Sequence, residues 1–277
     1  MKNILKRTLT SAAVTALLVS PLAHATNGYF KIGAGTKNRG LAGAGIAFGQ
    51  DGIAAAVNPA SIAFVDDQVN IGVEIFMPKR KSQLDATGMG GANSNVRSRA
   101  NKFALPSLGL VKAWNNKISL GLSAVGNGGM NTRYGDANTG GGNIYSEAFG
   151  AAIPGFVVDL ITAGAEAGNT AANAALLGGN PNNTPSLGIN LAQLLLSPTI
   201  AYKITPNQSI GFGPVIGYQT FRAYGLGLFQ GLSSDPGKVT NNGNDSALGV
   251  GAQIGYQGNF GMFSVGLMGR TKIYMEE

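Results

Sequence analysis

From Val69 to Lys272 large apolar residues repeatedly alternate with small or polar ones, and a period of two admits the β-strand and excludes the helix. Val69, Ile71, Val73, Ile75 and Met77 share one face, opposite Asn70, Gly72, Glu74 and Phe76. The same rhythm returns in Ile118–Ala124, Gln193–Lys203, Ile210–Gln219, Leu248–Gln257 and Phe263–Lys272, and a less regular run, Phe103–Trp114 with Pro106, makes seven strands. One face of each run is mostly Gly, Ser, Gln and Ala, with Glu74, Lys203, Arg270 and Lys272 scattered on it. The 43 glycines in 277 residues would be costly in helices, and a chain 44% hydrophobic and only 12% charged is not a disordered one.

Alternation alone fits a soluble antiparallel sheet as well as a membrane wall. Connection lengths separate the two. Asn115-Asn116, Thr205-Pro206-Asn207 and Gly258-Asn259 read as tight turns, whereas Ser82–Asn101, Gly126–Asn190 and Gly227–Ser246 are long and rich in Gly, Asn and Ser. Short and long connections alternate strictly, as in an outer-membrane barrel with short periplasmic turns and long external loops. Trp114, Tyr202, Tyr218 and Tyr256 lie near strand ends, where interfacial aromatics belong. The reading is therefore all-β: an antiparallel transmembrane outer-membrane β-barrel wall over 65–277.

The first 25 residues read as a signal peptide. Lys2, Lys6 and Arg7 precede the short apolar run Ala12–Val19, and Ala23-His24-Ala25 is a small-x-small cleavage site. The run is too short for a spanning helix, which needs about 20 apolar residues. After cleavage three of the 20 basic residues are gone, so 17 stand against 13 acidic ones, a net of +4. No basic run interleaves with aromatics, so nucleic acid is not an expected partner. The chain has no Cys, and its one His leaves with the leader. With neither, and with no close carboxylate pair facing the lumen, nothing indicates a catalytic, cofactor or metal site, and the chain does not read as an enzyme.

Two stretches fall outside the strand pattern. Thr26–Phe64 is dominated by Gly and Ala and ends in Asn58-Pro59-Ala60; small residues suit close packing in a confined space, as in a plugged lumen. Within the longest connection Phe156, Val157, Leu160 and Ile161 recur at helical spacing ahead of the Ala-rich run Ala163–Leu177, which predicts a helix near 155–178. Its apolar face either packs on neighbouring loops or offers a landing surface for an apolar ligand.

The leader, the early aromatic pair Tyr29 and Phe30, the Gly40–Gly45 stretch, Asp51 seven residues before Asn58-Pro59-Ala60, and the strands that follow together resemble the FadL-type outer-membrane transporters of long-chain fatty acids and aromatic hydrocarbons. The resemblance implies that 26–64 is an N-terminal hatch plugging a fourteen-stranded barrel, of which about seven strands are present here. It implies that Asn58, Pro59 and Ala60 shape the end of the hatch, that Asp51 anchors it, and that Tyr29 and Phe30 lie near a lumenal ligand. Asp51 reads equally as a turn residue beside Gly52, and the aromatics as packing against the wall. Seven strands leave open edges that would cost tens of kcal/mol in hydrocarbon, roughly ten unpaired groups at several kcal/mol each, so a C-terminally truncated precursor is expected.

The implied function is passive, hatch-gated uptake of hydrophobic small molecules across a Gram-negative outer membrane. The implied partners are an apolar ligand, outer-membrane lipid and the barrel assembly machinery, with a monomeric full-length protein. A general diffusion porin for polar solutes, or a surface or structural protein, are the alternatives.

Overall fold

The computed structural model describes residues 30–85, 87, 93–135, 186–226, 233–240 and 242–276. The chain divides into two units, Met1–Phe30 and Lys31–Glu277. Of the first only Phe30 is described, 43% exposed, and the account below concerns the second. The leader, Tyr29, and the expected helix near 155–178 with Phe156, Val157, Leu160 and Ile161 lie outside the described residues.

The strands are β1 (Gln68–Phe76), β2 (Lys81–Asp85), β3 (Asn93–Arg97), β4 (Phe103–Ala113), β5 (Ile118–Asn131), β6 (Gly188–Thr205), β7 (Gln208–Tyr224), β8 (Asp245–Phe260), β9 (Phe263–Arg270) and β10 (Tyr274–Met275). One antiparallel sheet runs β1-β4-β5-β6-β7-β8, and both β9 and β10 pair with the far side of β8. β9 takes Gln253–Phe260, β10 takes Gly249 and Val250, and between them Thr271 N–H donates to Ala252 O at 2.9 Å. The two are one stave carrying an extra residue, a bulge, so among the described residues this sheet has seven staves. β2 and β3 form a separate hairpin.

Polarity is inverted relative to a soluble protein. Val69, Ile71, Val73 and Ile75 of β1 are 59–81% exposed, and Phe212, Val250, Ile254 and Leu267 are exposed likewise. Ser107, Ser123, Ser197, Ser209, Gln193, Gln253 and Gln257, on the other face, are buried. Apolar residues outward and small polar ones inward is the order of a wall facing hydrocarbon. No helix among the described residues is long and apolar enough to cross a membrane.

What the inner face covers is the segment from Lys31 to Phe64. It holds a short helix, α1 (Gly35–Gly40), and two 3-10 segments, Gly52–Ala56 and Pro59–Phe64. Ile62, Ala55 and Ala63 pack on Val111 of β4 and Ala201 of β6, while Ile53 packs with Val125 of β5, Leu195 of β6 and Val215 of β7. Seven staves laid flat would span about 30 Å. One segment of this size reaches β4 with Gly52 and β9 with Ile46, so the sheet curls around it.

Three details depart from the sequence reading. The β8–β9 turn is Gly261-Met262 and not Gly258-Asn259, because pairing continues through Gly258↔Val265 and Asn259↔Ser264 to Phe260↔Phe263. Gly261, at φ +63, supplies the left-handed backbone that a two-residue link needs. The connection Ser82–Asn101 contains the β2–β3 hairpin, which its polar sequence conceals. Finally, the β6–β7 register passes from Leu196↔Ile216 to Ile200↔Phe212 with no pairs between, where Pro198 and Pro214 sit opposite each other and neither has an N–H to give.

Candidate functional site

The site is the contact between the inner segment and the wall. Asp51 is buried and accepts from the Ile53 N–H at 3.0 Å through its own side chain, capping the first 3-10 segment. Asn58 caps the second: its side-chain oxygen accepts from Ala60 N–H at 3.0 Å, and Pro59 occupies the first turn, where its missing N–H costs nothing. The Asn58 amide donates to Ile46 O at 2.7 Å and to Tyr256 O of β8 at 3.0 Å. One fully buried side chain thus joins the segment to itself and to the wall, and Pro59 and Ala60 are buried beside it.

The end of a short helix leaves carbonyls without partners inside the helix. Here inward-facing wall side chains take them. Gln253 Nε2 donates to Ala55 O at 3.1 Å, and Arg270 donates to Ala56 O at 3.0 Å and to Gln253 Oε1 at 2.9 Å. Ser209 Oγ donates to Ala60 O, in the first turn of the second 3-10 segment, at 2.8 Å. Ser61 Oγ meets Gln257 Oε1 at 2.6 Å, and Gly52 N–H donates to Asn70 Oδ1 at 2.7 Å. Ser209, Gln253 and Arg270 of the inner face therefore bond a main chain 149, 198 and 214 positions earlier.

Where the wall approaches most closely it has no side chain. A Cβ on Gly109 of β4 would overlap the backbone of Gly52 and Ile53. A Cβ on Gly255 of β8 would overlap the Asn58 side chain. Glycine is required at 109 because main chain lies against main chain, and at 255 because the Asn58 side chain fills the space.

Beside the contact lies a cavity of about 220 Å³, with Lys31, Asn38, Asn127 and Arg270 as its polar walls and Ala56 and Val125 among its apolar ones. Burial pulls the Lys31 ammonium below the usual lysine range; Glu74 of β1 opposes that shift and Arg39 adds to it. Glu74 is 4.0 Å from Lys31 and 3.0 Å from Arg39, two ion pairs between segment and wall. A bulge between Gly126 and Gly128 takes Asn127 out of the β5–β6 register. Its carbonyl accepts from Lys31 N–H at 3.1 Å and its amide donates to Gln193 Oε1 at 2.6 Å. A second cavity, about 300 Å³, opens at the end of the wall where the long connections lie, with Leu84, Tyr134, Leu187, Ile189 and Leu226 in its lining.

The structure brings Asp51, Asn58, Pro59 and Ala60 together at this contact. Sequence reasoning did not single out Lys31, Asn127, Gln253 or Arg270 as site residues. The signal for Arg270 was present, a cation on an inward face made mostly of Gly, Ser, Gln and Ala.

No protein-family model and no curated protein matches the sequence. Solved structures do match. A FadL homologue of Pseudomonas aeruginosa is 17% identical, with 88% of this chain and 53% of that one covered, at a TM-score of 0.48. The Pseudomonas putida toluene transporter TodX is 16% identical, with 88% and 54% covered, at a TM-score of 0.51. The chain spans about half the length of the structures it matches. The chain thus has its antiparallel fold in common with the toluene transporter TodX over the part that matches.

Proposed function

We propose that this chain supplies wall and hatch to a passive outer-membrane channel for hydrophobic small molecules, exported by a cleaved signal peptide, with residues 26–64 as the hatch and 65–277 as wall. The observation that carries the reading is the inverted polarity around a buried inner segment, and the likeness to a toluene transporter supports the ligand class. An apolar molecule leaves water for the lumen because burial is worth about 25 cal/mol per Å² of its surface, and no covalent step or energy source is needed. Passage then requires the segment to rearrange, its carbonyls exchanging the bonds of Gln253, Arg270 and Ser209 for water.

Ser209 Oγ bonds Ala60 O at 2.8 Å, so Ala60→Cys with Ser209→Cys places two thiols across the contact in a chain with no other cysteine. In proteoliposomes the oxidised pair should stop the flux of a labelled fatty acid or of toluene, and reductant should restore it. Flux indifferent to oxidation would show that the segment is not a gate.

A further inference from the structure

Six cations, Lys79, Arg80, Lys81, Arg97, Arg99 and Lys102, lie in the connection that carries the β2–β3 hairpin, against Asp85 alone among its acidic residues. Lys81 and Arg97 are register partners, directly opposite each other and both exposed. The ladder continues one step, Ser98 N–H donating to Arg80 O at 2.9 Å, and the next residues on the same face are Lys79 and Arg99, also exposed. Like charges directly opposed across a strand pair are destabilising, so the hairpin stores a repulsion that an anion would relieve. Among the described residues no carboxylate pairs with Lys79, Lys81, Arg97 or Lys102. Next to Lys81 and Arg97 on the same face stand the opposed amides Gln83 and Asn95.

Position selects the anion. Ser82, Gln83 and Leu84 line the cavity at the mouth, whereas Lys81 and Arg97 do not, so the two cations stand outside it. Arg80 spreads over the Phe103 ring, 5.7 Å from its centroid, and donates to Ala100 O, and Phe103 pairs with Phe76 at the top of β1. Only Met77–Arg80 separate the hairpin from the exposed apolar face of β1. Cations and amides directly above a greasy wall match an amphiphile with acyl chains below and a phosphorylated sugar head above.

We propose that this hairpin is a docking surface for a phosphate-bearing glycolipid of the outward leaflet, Lys81 and Arg97 holding a phosphate and Gln83 and Asn95 meeting sugar hydroxyls. The inference rests on the membrane reading above, with the long connections outward. The full chain is first floated with neutral phosphatidylcholine vesicles, then titrated in the same lipid with bisphosphorylated lipid A, its dephosphorylated form, and phosphatidylglycerol. Lipid A should bind in preference to the other two, and Lys81→Gln with Arg97→Gln should weaken it at least about tenfold, while Lys117→Gln at the opposite end changes nothing. Equal binding of the dephosphorylated lipid, a preference for phosphatidylglycerol, or an undiminished affinity in the double variant overturns the proposal. Failure to float overturns the membrane reading and this one with it, whereas flotation without discrimination sinks the glycolipid surface alone.

Discussion

The side-chain oxygen of Asn58 occupies the space that a Cβ on Gly255 would fill. The smallest possible substitution at Gly255 therefore pushes an asparagine off its three hydrogen bonds. Gly255→Ala should cost about 1–3 kcal/mol, the usual range for overpacking. At Gly40, where an added Cβ meets nothing within 4 Å, the same change should be neutral or stabilise slightly. Denaturant midpoints of the two variants in detergent check the pair, and equal midpoints would refute the close contact.

Asn58→Ala removes a cap and takes one donor each from Ile46 O and Tyr256 O. The expected loss is about 2–4 kcal/mol. Asn58→Asp keeps the acceptor for Ala60 N–H but turns two donors into a buried charge, which burial penalises until it is protonated. That variant should regain stability between pH 7 and pH 4, whereas the alanine variant should not. Unfolding midpoints across this range distinguish them.

Asp67, just before β1, accepts from Ala113 N–H at 2.6 Å and from the Lys112 ammonium at 2.5 Å. The backbone bond first, and Lys112 second, hold its carboxyl below the usual carboxylate range. A depressed folded value means that the stabilisation is complete above the unfolded value, near 3.9, and disappears as pH falls through the folded one. Asp67→Asn should therefore flatten the acid limb of a stability-pH curve below about pH 4. The pair is open to solvent, so the difference should be small and shrink with salt.

Lys31 tests the ion pairs between segment and wall. Glu74 alone among its neighbours favours the charged amine, against burial and Arg39. Glu74→Gln should lower the Lys31 titration midpoint further, read by NMR of ¹³C-methylated lysines. An unmoved Lys31 midpoint would mean that the 4.0 Å contact carries no coupling.

The strands and their faces were legible because a wall between two solvents imposes a polarity on each residue in turn, and that pattern survives without any particular residue being kept. The same fact explains a 16% identity alongside a common fold. The β2–β3 hairpin was not legible: Lys81–Asp85 buries neither face fully, so it carries no apolar period. The 3-10 segments hid in Gly and Ala, whose side chains say nothing of direction, although Asp51 and Asn58 ahead of them are ordinary capping types. Arg270 and Gln253 stayed unread because their partners are main-chain carbonyls, which no sequence distinguishes from one another.

Gly52 against Gly109 is a joint of main chain on main chain. A constriction made of side chains can widen by a change of rotamer, within nanoseconds and one residue at a time. This joint has no rotamers to change. Widening it means moving the peptide backbone and breaking several hydrogen bonds at once, so conduction through it would come as rare, whole-segment events and not as a continuous trickle.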